Sequence, residues 1–202
     1  MIPAVILAAG ASTRMGRAKA TLPVAPDGET FVARLLRTFS SVGVDDLVVV
    51  VGAHAEAVVE AIRRQPVFAR IASNPNHERG QLSSLVAALD VVDRPGVRGL
   101  LSMPVDMPLV APSTVRAVLD AYRQAPHAIV RPARDRHHGH PVLFDRRLFA
   151  ELRAADLSRG ARVVIAAHLD ETLDVTVSDE GAFRDIDTPE DYEQLTGLKV
   201  DA

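Results

Sequence analysis

A three-layer α/β/α sandwich around a mostly parallel sheet is the fold this sequence predicts, and three observations predict it. Short apolar, β-branched runs such as Leu47–Val51 and Val97–Met103 lack polar alternation, which suits strands covered on both faces. Longer stretches of helical period separate those runs, so strand and helix alternate and right-handed crossovers follow. No repeat or low-complexity linker interrupts the 202 residues. Residues 1–198 are therefore expected to form one domain, with 199–202 as a tail.

The elements follow in order. Strands are predicted at Pro3–Ala8, Leu47–Val51, Val97–Met103 and Ala128–Arg131, and amphipathic helices at Phe31–Phe39, Glu56–Arg63, Ser83–Val92 and Pro112–Tyr122. Charge and histidine at Arg134–Gly139 break the rhythm. A short strand at Pro141–Phe144 and helices near Arg146–Leu152 and Ala161–Leu169 come next. Leu173–Val177 and Phe183–Ile186 read as late strands and Pro189–Leu195 as a last helix. Thr188 is its expected N-cap, with proline at the first helical position.

Composition excludes several classes of function. With 23 Lys and Arg against 26 Asp and Glu, and aromatics at 4%, the chain lacks the basic face and stacking platforms of a nucleic-acid binder. The absence of cysteine removes thiol nucleophiles, disulfides and cysteine zinc sites. It also fits a reducing, cytoplasmic setting. The longest apolar run, Leu47–Ala53, stops at His54, far short of the roughly 20 residues of a spanning helix. No membrane association is expected.

In open α/β sheets ligands bind at the carboxyl ends of the strands, so the loops there are the places to search. The first reads LAAGASTRMGRAK, from Leu7 to Lys19. Gly10 and Gly16 permit positive φ and close backbone approach, so successive N–H groups can form an anion nest. Arg14 can fork around phosphate oxygens and Lys19 can act as a compact charge. The only other lysine is Lys199. Neither the P-loop string nor G-x-G-x-x-G is present, and a solvated turn with two glycines is the plain alternative.

This string resembles the nucleotide-binding signature L-A-[AG]-G-x-S-x-R-M-G-x-x-K of the nucleotidyltransferases. It is most similar to the MobA-like branch that holds the molybdenum cofactor cytidylyl- and guanylyltransferases. The resemblance implies a Rossmann-like sheet of the nucleotide-diphospho-sugar transferase type. It also implies a loop, formed by Leu7, Ala8, Ala9, Gly10 and Ser12, that wraps a triphosphate, with Arg14 and Lys19 as its ligands and catalytic groups. Ala9, where guanylyl members usually carry glycine, favours CTP.

Two aspartates lie far apart in sequence. Asp106, in SMPVDMP, follows an apolar strand, and Asp187 lies in DIDTPED, where Asp185 and Asp187 would share a strand face. A turn acid and a helix-entry acid are the plain readings. Magnesium, however, is typically held by one or two carboxylates plus substrate phosphates. The resemblance implies that Asp106 and Asp187 are the Mg2+ ligands, with Asp185 a helper.

The resemblance also assigns a nucleotide-pocket role to Gly80, Ser83 and Ser84, in NPNHERGQLSSL. Either serine is also a natural N-cap for the helix that follows. The string GHPVLF places Gly139 and His140 on the acceptor side. His137 and His138, without cysteine partners, are expected in a solvated loop rather than around zinc. The implied reaction moves an NMP onto a phosphorylated, pterin-type acceptor, with transient contact to a target molybdoenzyme. Guanylyl transfer, another phosphorylated acceptor and a non-catalytic nucleotide-binding module are the alternatives.

Overall fold

The computed structural model describes residues 1–199, so residues 200–202 of the expected tail lie outside the described residues. Eight strands form one mixed sheet: β1 (Ala4–Ala8), β2 (Leu47–Val51), β3 (Arg70–Ser73), β4 (Gly99–Pro104), β5 (Ile129–Arg134), β6 (His137–His138), β7 (Val142–Asp145) and β8 (Thr172–Thr176). Their order is β3-β2-β1-β4-β7-β5-β6, with β8 paired to β5. The pairs β1–β2, β1–β4, β2–β3 and β5–β8 are parallel, whereas β7 runs antiparallel to β4 and β5.

Seven helices cover the sheet: α1 (Phe31–Ser40), α2 (Ala55–Arg63), α3 (Gln81–Val92), α4 (Pro112–Gln124), α5 (Phe149–Ala154), α6 (Arg162–Ala167) and α7 (Pro189–Thr196). Strand residues alternate between two cores. Ala4, Ile6 and Ala8 of β1 pack with Leu35 of α1, Ile62 of α2, Val118 of α4 and Tyr192 of α7. Val5 and Leu7 pack on the opposite face with Leu85 of α3, Leu152 of α5 and Val164 of α6. Every residue of β1 and β2 is buried, which is why those strands read as continuous apolar runs.

Topology then fixes the functional edge. From β1 the chain moves outward through β2 to β3, and β4 returns on the other side of β1 in register with it, Leu7 opposite Pro104. The crevice beyond β1 and β4 is thus a switch point, where ligands bind in such sheets.

Three expectations are corrected. Phe183–Ile186 is not a strand: β5 already pairs with β7, β6 and β8, and this segment instead crosses the site edge, where the Ile186 amide donates to the Asp106 carbonyl at 2.8 Å. His137 and His138 are exposed but paired, as β6, to the end of β5. Gly80, not Ser83 or Ser84, is the N-cap of α3, and both serines are buried inside its first turn.

Candidate active site

The loop after β1 is held open by its own backbone. Ser12 takes the left-handed conformation at φ 51° and accepts a 3.2 Å hydrogen bond at Oγ from the Lys19 amide. Of the two glycines, Gly16 carries the positive φ, whereas Gly10 does not. A Cβ on Gly10 would meet nothing within 4 Å, so that side of the loop faces open space. Gly52, just after β2, has the opposite constraint: a Cβ there would lie 2.6 Å from the Ala9 carbonyl. Its lack of a side chain lets the two strand ends close together, and sequence reasoning did not single it out.

Lys19 is folded back beneath this loop with its side chain only 10% exposed. Its Nζ donates to Asp187 Oδ1 at 2.5 Å and to Asp106 Oδ2 at 3.5 Å. Arg14, far more exposed, donates from Nη2 to Asp187 Oδ2 at 2.9 Å. Two carboxylates separated by about eighty residues therefore converge on one ammonium. Asp106 is brought there by β4, and Asp187 by the capping box in which Thr188 and Asp191 cap each other at the start of α7. The backbone bond from Ile186 to Asp106 ties the two segments together.

The two acids titrate in opposite directions. Burial pushes the Asp106 carboxyl up, Lys19 opposes the shift, and the neighbouring charges of Asp187 and Asp185 reinforce it. The hydrogen bond from Lys19 holds Asp187 below the usual carboxylate range, against a smaller burial effect, with Arg14 assisting. Asp187 is the better anchored anion.

These groups line a cavity of about 340 Å³. Of the residues expected on the nucleotide side, Leu7, Ala8, Ala9, Gly10, Ser12, Arg14, Lys19, Gly80 and Ser84 line it, together with Asp106 and Asp187. Ser83 does not. Its Oγ donates towards the Gly80 and Asn76 carbonyls and accepts from Asn74 Nδ2, which also reaches Ser84 Oγ at 3.0 Å. The N-P-x-x-x-x-G-x-x-S-S spacing thus serves first to let buried Asn74 organise the turn before α3. His77 and Gln81, not foreseen, also line it.

Whether a divalent ion suits this centre is tested by Lys19, since both carboxylates already converge on a cation. Among the described residues no group of three or more His, Cys, Asp or Glu could hold a metal. The pair fits an ion that draws its remaining ligands from substrate phosphates and water.

The sequence model of the MobA-like NTP transferase domain matches residues 4–172. The chain belongs to the MobA-like NTP transferase domain family. Among curated MobA-like relatives, nicotine blue oxidoreductase of Paenarthrobacter nicotinovorans is 32% identical over 96% of both chains. A probable molybdenum cofactor guanylyltransferase of Opitutus terrae is 30% identical over 63% of this chain and 59% of that protein. The crystal structure of Rv0371c from Mycobacterium tuberculosis superposes with a TM-score of 0.81 at 30% identity, over 98% of this chain and 97% of that one. The same protein has been solved in complex with manganese, with a TM-score of 0.77 at 27% identity over 98% of both chains.

A second cavity of about 390 Å³ adjoins the first, sharing Leu7, Gly80 and Gln81 with it. Gly139 and His140 line this one. A Cβ on Gly139 would lie 2.2 Å from the Ala182 carbonyl, so that glycine is required by protein packing. Burial lowers the pKa of His140, against a backbone hydrogen bond with Ser102 and the Asp185 charge, and its Nδ1 is buried without a hydrogen-bond partner.

Proposed function

We propose that this protein, through residues 1–198 as one catalytic unit, transfers an NMP, with CTP the favoured donor, to a phosphorylated small molecule. The acceptor we favour is molybdopterin or the molybdenum cofactor. The observation that carries this reading is the convergence of Asp106 and Asp187 on Lys19 beside a glycine loop that opens into a cavity.

The chemistry needs no base from the protein. A phosphomonoester is largely ionised at neutral pH, so one of its oxygens attacks the α-phosphorus in line. The new P–O bond forms as the bond to the β-phosphate breaks, and pyrophosphate leaves with that electron pair. The open face beside Gly10 and the nest around Ser12 would receive the triphosphate. Arg14 and Lys19 would exchange carboxylate contacts for phosphate oxygens and stabilise charge in the transition state. Mg2+, when bound, would be held by Asp106 and Asp187 and would neutralise charge on the triphosphate. That Rv0371c has been solved in complex with manganese supports a divalent ion in this reading.

The test is pyrophosphate release from CTP, GTP, ATP and UTP with a molybdopterin acceptor, with and without magnesium. Release from CTP that depends on the ion, and that falls about a hundredfold or more in Asp106→Asn with its fold intact, is expected. Preference for GTP would move the reading to guanylyl transfer, and silence with all four would end it. A second reading is favoured by the 32% identity to nicotine blue oxidoreductase across 96% of both chains. There the site would serve an oxidation–reduction, and turnover of a redox substrate with no pyrophosphate released would reveal it.

A further inference from the structure

The second cavity has a chemical character that the family does not dictate. Apolar side chains form one wall, including Leu82, Leu85, Val142, Phe144 and Ile165, and no aspartate or glutamate lines the cavity. Its cationic groups fall into two sets. Arg131 and His138 are already committed, since Arg131 Nε donates to Asp174 Oδ1 at 2.7 Å and His138 Nε2 lies 3.2 Å from Asp174 Oδ2. Arg159 and Arg162 form no ion pair among the described residues, although the Arg159 charge is felt by Asp156 nearby; the one side-chain bond of the pair runs from Arg162 Nε to the Arg159 carbonyl. Their segment stands against the wall shared with the first cavity, where the Leu157 carbonyl lies 3.5 Å from the place a Cβ on Gly80 would occupy.

We infer that this cavity selects an apolar-bodied, hydroxyl-poor phosphomonoester, and that Arg159 and Arg162, which line it, hold its anionic end. The inference rests on the nucleotidyl-transfer reading for calling that molecule the acceptor. A polyol phosphate would find partners at Gln81, Ser102 and Ser158 but would lay its other hydroxyls on the apolar wall, where they lose water without replacing it. A flat apolar body would instead gain from the wall. Two guanidiniums outside any ion pair suit a phosphate dianion, which they can bind in forked geometry.

The probes are 1-naphthyl phosphate and glucose 1-phosphate, titrated calorimetrically into the full chain, with CTP titrated in parallel. Naphthyl phosphate should bind about tenfold tighter or more than the sugar phosphate. The double variant Arg159→Ala, Arg162→Ala should weaken naphthyl phosphate about tenfold or more and leave CTP within about twofold. The corresponding lysine pair should recover part of the loss. Equal or tighter binding of glucose 1-phosphate, or indifference to the arginines, would overturn the inference. Arginine-dependent binding of naphthyl phosphate with no pyrophosphate released from any nucleotide would instead sink the nucleotidyl-transfer reading and leave the cavity's selectivity standing.

Discussion

Replacing Lys19 with alanine removes the one cation that touches both acids of the first cavity. Its side chain is 10% exposed, whereas those of Asp106 and Asp187 remain 28% and 30% exposed, so water screens part of the uncovered charge. The loss in stability should be about 1–2 kcal/mol, or roughly 3–6 °C in Tm for a chain of this size. The deficit has a definite pH dependence. Lys19 holds the folded pKa of Asp187 below its unfolded value, a contribution present above about pH 4 and lost as pH falls through the folded pKa. Wild type and variant should therefore differ most at neutral pH and converge in acid. With two uncovered carboxylates, the variant should also gain more Tm from added Mg2+ in the absence of nucleotide than wild type does. Catalysis should fall about a hundred- to thousandfold, the scale for losing one preorganised donor. Scanning calorimetry across pH and a pyrophosphate assay read all of this. A variant with unchanged Tm at neutral pH, or with near-normal turnover, would refute the role given to Lys19.

Other consequences follow from particular contacts. Asn74→Ala deletes a buried amide that binds Ser83, Ser84 and the Asn76 amide, and should cost about 1–3 kcal/mol in denaturant unfolding and weaken CTP binding. Gly139→Ala drives a methyl into the Ala182 backbone, and should cost about 1–3 kcal/mol while leaving CTP affinity intact, which unfolding and CTP titration together would check. His168 is held between Glu151 and Glu171 at 2.7 and 3.1 Å, and the Glu151 bond leads in raising its pKa. That stabilisation is complete below the unfolded pKa, about 6.5, and is lost as pH rises through the folded value. His168→Gln should therefore lower Tm at pH 6 by the equivalent of about 0.5 kcal/mol and have less effect at pH 9.

Much of the fold was legible because burial on both faces writes itself into sequence. β1 and β2 announce themselves as unbroken apolar runs, and α1, α2 and α4 fall within two residues of their predicted bounds. β3 was missed because Arg70–Ser73 is an edge strand with one buried residue, and its pattern carries no core. Phe183–Ile186 failed the other way. Its apolar residues pack without pairing, Phe183 beneath the Arg134 guanidinium at 5.0 Å and Ile186 in the core, and periodicity cannot separate those two uses of an apolar side chain.

The site divides along the same line. Arg14, Lys19, Asp106 and Asp187 were found because each stands in a local string whose chemistry is readable: a glycine loop, a strand end, a helix cap. What sequence could not supply was their convergence, which comes from β1 and β4 lying side by side and from the Ile186–Asp106 backbone bond. Arg159 and Arg162 were invisible for a deeper reason. Their segment carries no motif and its conformation is an ordinary turn followed by two turns of helix. They gain meaning only where Leu157 meets Gly80 across the start of α3. Residues that define the nucleotide side are thus encoded by local backbone demands, while those that would choose the acceptor are set by packing between distant segments. Under the proposed function, substitutions along 157–162 should therefore change acceptor selectivity while leaving the loop after β1, and with it nucleotide affinity, unchanged.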